Sequence, residues 1–157
     1  MNYYVAKPVT AEKLSTLIKA IYELQLDEES DTPHSKEETH IRVVLAGNPH
    51  TSLGALGKLA DDPHERVRCR VAENTRLSEE LQMKLANDSE PEVRICLCEN
   101  PSLMESVLEH LSKDANEDVR LAVASSPKVS TPLLRHLADD ENVYVSASAN
   151  RSLGNLA

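Results

Sequence analysis

Residues 67–74 read VRCRVAEN, and closely similar segments begin at Ile41 (IRVVLAGN), Val93 (VRICLCEN) and Val119 (VRLAVASS). These four segments begin 26 residues apart and align without gaps. A fifth segment, VYVSASAN, begins at Val143, two residues earlier than this period places it. A fixed period of this length is the sequence signature of a repeat architecture, in which each unit stacks on the next.

The spacing of apolar residues in each repeat predicts two short helices. In the first half, Val67, Val71 and Ala72 have the spacing of one apolar face of a helix. In the segments that begin at Ile41, Val93 and Val119, a proline follows directly and ends this helix, because proline cannot donate the next backbone hydrogen bond. The second half carries a recurring leucine, at Leu59, Leu85, Leu111 and Leu137. Helices this short are marginal on their own, so we expect an all-α array in which neighbouring units bury each other's apolar faces.

These segments resemble the leucine-rich-repeat-variant family, whose units carry a V-R-x-x-V-A-x-N-P core followed by L-L-x-x-L-A-x-D. They also share features with HEAT repeats. The resemblance covers residues 41–157 and implies a right-handed α-solenoid of about four and a half 26-residue two-helix repeats. Some members of the variant family hold an iron–sulphur cluster on an N-terminal cysteine cluster. Because this chain has no cysteine before Cys69, we expect no cofactor.

Residues 1–26 do not follow the repeat, and residues 10–25 predict a helix that caps the end of the array. The segment also resembles the last strand, Lys-Pro turn and last helix of a response-regulator receiver, in which the lysine at the position of Lys7 contacts a phosphorylated aspartate. The earlier strands and the acceptor aspartate of a receiver do not precede it, so we expect no phosphotransfer. Residues 27–40 hold six acidic residues and one lysine, which predicts an acidic, solvated linker before residues 41–157.

The composition limits the classes of partner. The 157 residues include 17 Lys and Arg against 26 Asp and Glu, a net charge of −9, and contain no Trp or Phe. Nucleic acids and anionic membranes both attract positively charged surfaces, so we expect neither as a partner. No stretch reaches the length of a membrane-spanning helix, no signal peptide follows Met1, and three cysteines fit reduced thiols. Together these features predict a cytoplasmic protein.

An arginine follows the first apolar residue in four of the units, and two interpretations compete for it. One is a row of cations for an acidic or phosphorylated partner. The other is a structural ladder, because an aspartate precedes each of the last three arginines by six residues. We favour the ladder, since structural ion-pair networks imitate functional charge clusters. Its predicted members are Asp62, Arg68, Asp88, Arg94, Asp114 and Arg120, with Tyr144 in place of arginine in the fifth segment.

No catalytic or metal-binding constellation is evident in the sequence. Cys69, Cys96 and Cys98 lack the spacing of a metal site, and no Cys/His pairing points to a nucleophile. A row of cations near the ends of the second helices is the best candidate for contact with a partner. We call this row the contact strip, and it comprises Lys58, Lys84, His110, Arg135 and His136.

We therefore expect a non-enzymatic scaffold that binds a protein or a peptide. Two rivals remain open: an output arm or fragment of a receiver-containing regulator, and a HEAT-like DNA-repair enzyme. The enzyme needs a basic cleft, whereas residues 41–157 hold 13 basic and 18 acidic residues. At the C-terminal end we expect Leu137, Val143 and Ala147 to form an uncapped apolar surface. This predicts either end-to-end homodimers or a native chain that continues beyond residue 157.

Overall fold

The computed structural model describes residues 33–155, which form helices joined by short turns. None of these residues lies in a strand, so the all-α prediction is confirmed for this part of the chain. No helix within this range combines the length and hydropathy needed to cross a lipid bilayer. The helices are α1 (Pro33–Ala46), α2 (Leu53–Leu59), α3 (Glu65–Ala72), α4 (Glu79–Leu85), α5 (Pro91–Cys98), α6 (Glu105–Leu111), α7 (Glu117–Ser125), α8 (Thr131–Ala138) and α9 (Val143–Gly154).

The odd-numbered helices carry the apolar face that the repeated segment predicts. In α3, Val67, Val71 and Ala72 have no exposed surface, and the equivalent residues one repeat later in α5 are buried as well. Helices α1, α5 and α7 each end two or three residues before a proline. The spacing of the apolar residues therefore sets the buried face of the odd helices. The proline that follows α1, α5 and α7 sets where each of these three helices ends.

Each odd helix packs on the next odd helix along the chain, in the order α1, α3, α5, α7 and α9. Each even helix contacts the odd helix that follows it. The recurring leucines of the even helices are at most 1% exposed: Leu59, Leu85, Leu111 and Leu137. The core is therefore an aliphatic layer between the two sets of helices, assembled from neighbours in sequence.

Helix α1 begins at Pro33, inside the segment 27–40 that composition assigns to a linker. Residues 33–40, the last part of this segment, form the first turns of α1. Proline favours the first position of a helix, since its fixed backbone angle suits the helix and its missing N–H has no partner to lose there. The predicted capping helix over residues 10–25, and Lys7, lie outside the described residues.

Helix α9 follows the regular 26-residue period of the other odd helices. The sequence alignment placed its first buried residue two residues too early. The buried residues of α9 are Val145 and Ala149, which lie one full repeat after the buried Val119 and Val123 of α7. Val143, which the sequence alignment matches to Val119, is 67% exposed. The predicted alignment of the fifth segment is therefore wrong by two residues.

The N-cap of α9 explains this register. The Asn142 side chain accepts hydrogen bonds from the N–H groups of the second and third residues of α9, as Asn116 does at α7. Because equal caps start both helices, Ser146 takes the position of Arg120, and the predicted replacement by Tyr144 is wrong.

The apolar surface predicted at the C-terminal end is only partly present. Val143 and Ala147 are exposed, but Leu137 is buried where α8 packs against α9. Tyr144, at 72% exposed, adds an aromatic ring to this end of the described chain.

We expect replacement of Leu111 by Ala to lower the free energy of unfolding by about 2–5 kcal/mol, because it empties a fully buried site between helices. Urea denaturation followed by circular dichroism at 222 nm measures this loss. Leu53→Ala is the matched control, since Leu53 is 48% exposed and its loss should cost under about 1 kcal/mol. Equal losses for the two variants would contradict the packing described here.

Candidate functional site

In α3, α5 and α7, one arginine forms charged hydrogen bonds with the turn before its own helix and with the turn after the next even helix. In α3, the Nε of Arg68 donates to Oδ2 of Asp88 at 2.7 Å, and its Nη2 donates to Oδ1 at 2.9 Å. The Nη1 of Arg68 donates to the backbone carbonyl of Asp62 at 2.8 Å. Arg94 makes the same bonds one repeat later, to the carboxylate of Asp114 and to the carbonyl of Asp88. One guanidinium therefore connects the turn after one even helix with the turn after the next even helix.

The six residues predicted for the ladder all take part in it, but their pairing differs from the prediction. The sequence pairs Asp62 with Arg68, six residues later, whereas the Asp62 carboxylate pairs with Arg42 of α1 at 2.7 Å. Arg68 instead binds the Asp62 carbonyl. The carboxylate also accepts the backbone N–H of His64, and this turn directs it towards the preceding helix. The ladder gains a further pair in Arg120 and Asp140.

Burial and hydrogen bonding act in opposite directions on the ladder carboxylates. Burial would raise the pKa of Asp88 and Asp114, but hydrogen bonds from their arginines and from backbone N–H groups outweigh it and hold each pKa below the ordinary value. At Asp140 the hydrogen bond from Arg120 is the largest cause, and it lowers the pKa of the carboxyl. These groups stay ionised at neutral pH, which suits a structural role and not proton transfer.

A second row of hydrogen bonds runs beside the ladder. The side-chain nitrogen of Asn74 donates to the carbonyls of Ala46 at 2.9 Å and Asn48 at 3.2 Å, at the end of the preceding odd helix. Asn100 repeats this pattern one repeat later, with the carbonyls of Ala72 and Asn74. These amides satisfy backbone carbonyls that a helix end leaves without a partner.

The contact strip lies in the last turns of the even helices, and all five of its side chains are exposed. Two of them contact the preceding helix pair. The Nζ of Lys84 lies 2.6 Å from the carboxylate of Asp61, and Nε2 of His110 lies 3.1 Å from Oδ1 of Asn87. Arg135 and His136 lie in the last turn of α8. The strip therefore combines exposed cations with contacts between successive helix pairs.

A shallow hollow of ≈ 410 Å³ lies beside Lys84, where α2 and α4 meet the ladder. Its walls include Asp61, Arg68 and Asp88. The charged groups in these walls already pair with one another, Lys84 with Asp61 and Arg68 with Asp88. These four charged groups are thus engaged in contacts within the chain.

The structure brings Cys69 of α3 beside Cys96 of α5, a pairing that sequence spacing did not reveal. Burial is the largest cause of the raised pKa of both thiols. Burial also raises the pKa of Cys98 to about 12. The thiols are therefore protonated at neutral pH and weak nucleophiles. Among the described residues, no three His, Cys, Asp or Glu side chains are grouped to hold a metal ion.

Sequence reasoning missed a surface on the odd helices, which we call the outer face. It comprises five positions, one per repeat, and the residue that follows each: Val43, Val44, Cys69, Arg70, Ile95, Cys96, Leu121, Ala122, Ala147 and Ser148. The neighbours of Cys69 show that this face lies on the solvent side of α3. Arg66 and Glu73, three residues before and four residues after Cys69, share its side of the helix and are exposed. The apolar character of the five leading positions was the signal available in the sequence.

Comparison with protein-family models, with curated proteins and with solved structures finds no match to this chain.

We expect Asp114→Asn to lower the free energy of unfolding at pH 7 by about 1–3 kcal/mol, because Arg94 loses its charged acceptor in a site that is 9–13% exposed. Urea denaturation followed by circular dichroism measures the change. Asp61→Asn is the control, since the Lys84–Asp61 pair is exposed and contributes about 1 kcal/mol or less.

The pH dependence of the unfolding free energy of Asp114→Asn, compared with that of the wild type, tests whether the Asp114 carboxylate is ionised in the folded protein. Because the folded pKa of Asp114 is lowered, its contribution is fully present above the unfolded pKa of about 3.9 and is lost as the pH falls through the folded pKa. The difference in unfolding free energy between the wild type and Asp114→Asn should therefore shrink from about pH 5 downwards. A difference that stays constant down to acid unfolding would argue against an ionised pair.

Proposed function

We propose that this protein is a non-enzymatic scaffold for protein–protein interaction, built from leucine-rich-variant/HEAT-like repeats. In this proposal the chain forms a right-handed α-solenoid of about four and a half 26-residue repeats, with a capping helix over residues 10–25. The successive packing of the odd helices supports it, because repeat arrays are built from contacts between neighbours.

The observation that carries the proposal is the recurrence of one charged contact. The pairing of Arg68 with Asp88 recurs once per repeat, in Arg94 with Asp114 and in Arg120 with Asp140. These bonds fix each helix against the next, whereas exposed residues between them change from one repeat to another. A rigid frame with variable surface residues loses little conformational entropy when it binds, so it suits recognition of a protein or a peptide.

The contact strip is the surface that the proposal assigns to the partner. Its cations lie at the C-terminal ends of the even helices, where the helix dipole favours positive charge and where an acidic partner segment would find donors. Lys84 and His110 already contact Asp61 and Asn87, so Arg135 and His136 are the better candidates within the strip.

Affinity capture from a lysate of the source cells, with the full chain as bait, tests the proposal. We expect a specific protein on the wild-type bait, and weaker retention by an Arg135→Glu/His136→Glu bait. A Leu111→Asp bait is the control, because a buried charge should unfold the repeats and abolish specific retention. If the unfolded bait retains the same proteins as the wild type, or no bait retains any protein, the proposal is wrong.

End-to-end homodimers are a second part of the proposal, supported by exposed Val143 and Tyr144 near the C-terminal end of the described chain. We expect the weight-average mass in static light scattering to rise towards that of a dimer with concentration. Val143→Ser/Tyr144→Ser should reduce this rise, because it removes the apolar contact. A monomeric mass at every concentration would contradict self-association.

A further inference from the structure

The outer face is more apolar than its position requires. Ile95 and Leu121 lie two residues after the buried Val93 and Val119 and are themselves half-buried aliphatic side chains that pack against the core. Cys96 and Ala122 lie beside them on the same face. Because consecutive odd helices pack together, these side chains form one continuous apolar strip across α5 and α7. The part of a helix face that reaches solvent normally carries polar residues, whereas here it is apolar.

Carboxylates border this apolar strip. Glu92 and Glu99 lie three residues before and four residues after Ile95, and Asp118 lies three residues before Leu121. All three are exposed, and none forms an ion pair with a cation among the described residues. They place a negative potential along the edges of the strip.

Two arginines of the same face, Arg66 and Arg70, belong to α3. Neither forms an ion pair with these carboxylates. Arg70 of α3 pairs with Glu73, and its Nε lies 2.6 Å from the place where a Cβ on Gly47 would stand. Its side chain therefore turns towards the end of α1 and away from α5. The charges of Glu92 and Glu99 also reach the Cys96 thiol, whose pKa is raised by burial and further by these carboxylates.

We infer that the outer face of α5 and α7 binds a basic amphipathic segment of the partner protein. Apolar side chains of that segment contact Ile95 and Leu121, and its lysines or arginines pair with Glu92, Glu99 and Asp118. The charge complementarity selects a basic partner, and the apolar strip fits the one-sided pattern of an amphipathic helix. The inference deepens the proposed function and rests on it, but it places contact on a different surface from the contact strip.

A fluorescein-labelled peptide, LKKLLKLLKKLLKL, is a probe for this chemistry, and fluorescence anisotropy with the full chain measures its binding. We expect saturable binding that weakens with added salt, because exposed charges are screened. The peptide LEELLELLEELLEL, with the same apolar pattern and opposite charge, should not bind.

Two outer-face variants should each weaken the peptide about tenfold. Glu92→Gln/Glu99→Gln/Asp118→Asn removes the charges, and Ile95→Gln/Leu121→Gln removes the apolar contact. The matched control is Glu80→Gln/Glu105→Gln/Glu109→Gln, which removes three exposed carboxylates from α4 and α6 and should change the Kd less than twofold. Circular dichroism checks that each variant keeps its helicity.

Thiol labelling locates the contact independently. Bound peptide should slow the alkylation of Cys96 by iodoacetamide at pH 8, whereas the rate at buried Cys98 should stay unchanged. Equal weakening by the matched control, unchanged binding by both outer-face variants, or no saturable binding would overturn the inference.

Failure of this inference can be separated from failure of the proposed function. The outer-face variants also serve as baits in the affinity capture. If they retain the specific partner as well as the wild type does, the inference is wrong while the scaffold function stands. If no bait retains a partner, the proposed function itself is wrong.

Discussion

The bidentate pairing of an arginine on one odd helix with an aspartate in a later turn is the constraint on which this structure depends. Arg94 donates two hydrogen bonds to the carboxylate of Asp114 and a third to the carbonyl of Asp88. These three bonds fix the guanidinium in one plane, so the helix that carries it cannot rotate without breaking them. The same pattern recurs at Arg68 and Arg120, so it fixes how these three odd helices sit against the turns that they bind.

This constraint complements a core that has little shape of its own. Leu, Val and Ala side chains fill the space between the helices, and helices of seven to nine residues gain little from their own hydrogen bonds. Aliphatic packing supplies most of the stability but tolerates repacking. Hydrogen bonds from charged and amide side chains restrict how each helix is oriented against the next. Those of Asn74 and Asn100 to the carbonyls at the ends of the preceding helices are examples.

The structure separates positions that hold the helices together from positions that are available to a partner. Arg68 and Arg120 are largely enclosed in ladder pairs, whereas Ile95 and Leu121 are partly exposed on the other side of the odd helices. The cations of the contact strip and the carboxylates of the outer face lie on different sets of helices. The chain therefore presents exposed groups of opposite charge on two different sets of helices.

The sequence by itself determined the helical class, the buried positions of α3, α5 and α7, and the ends of the helices that a proline follows, because the spacing of apolar residues and proline act locally. It also identified Asp114 and Arg94 as members of a ladder. Only the tertiary structure decided which carboxylate meets which arginine, because a partner twenty residues away is chosen by the path of the turn and not by spacing. The same holds for α9, where the Asn142 cap set the register, and for Cys69 and Cys96, whose meeting depends on how α3 packs against α5. The sequence shows that the leading positions of the outer face are apolar. Whether they reach the surface depends on which side of each helix faces the core, and only the packing of the helices decides that.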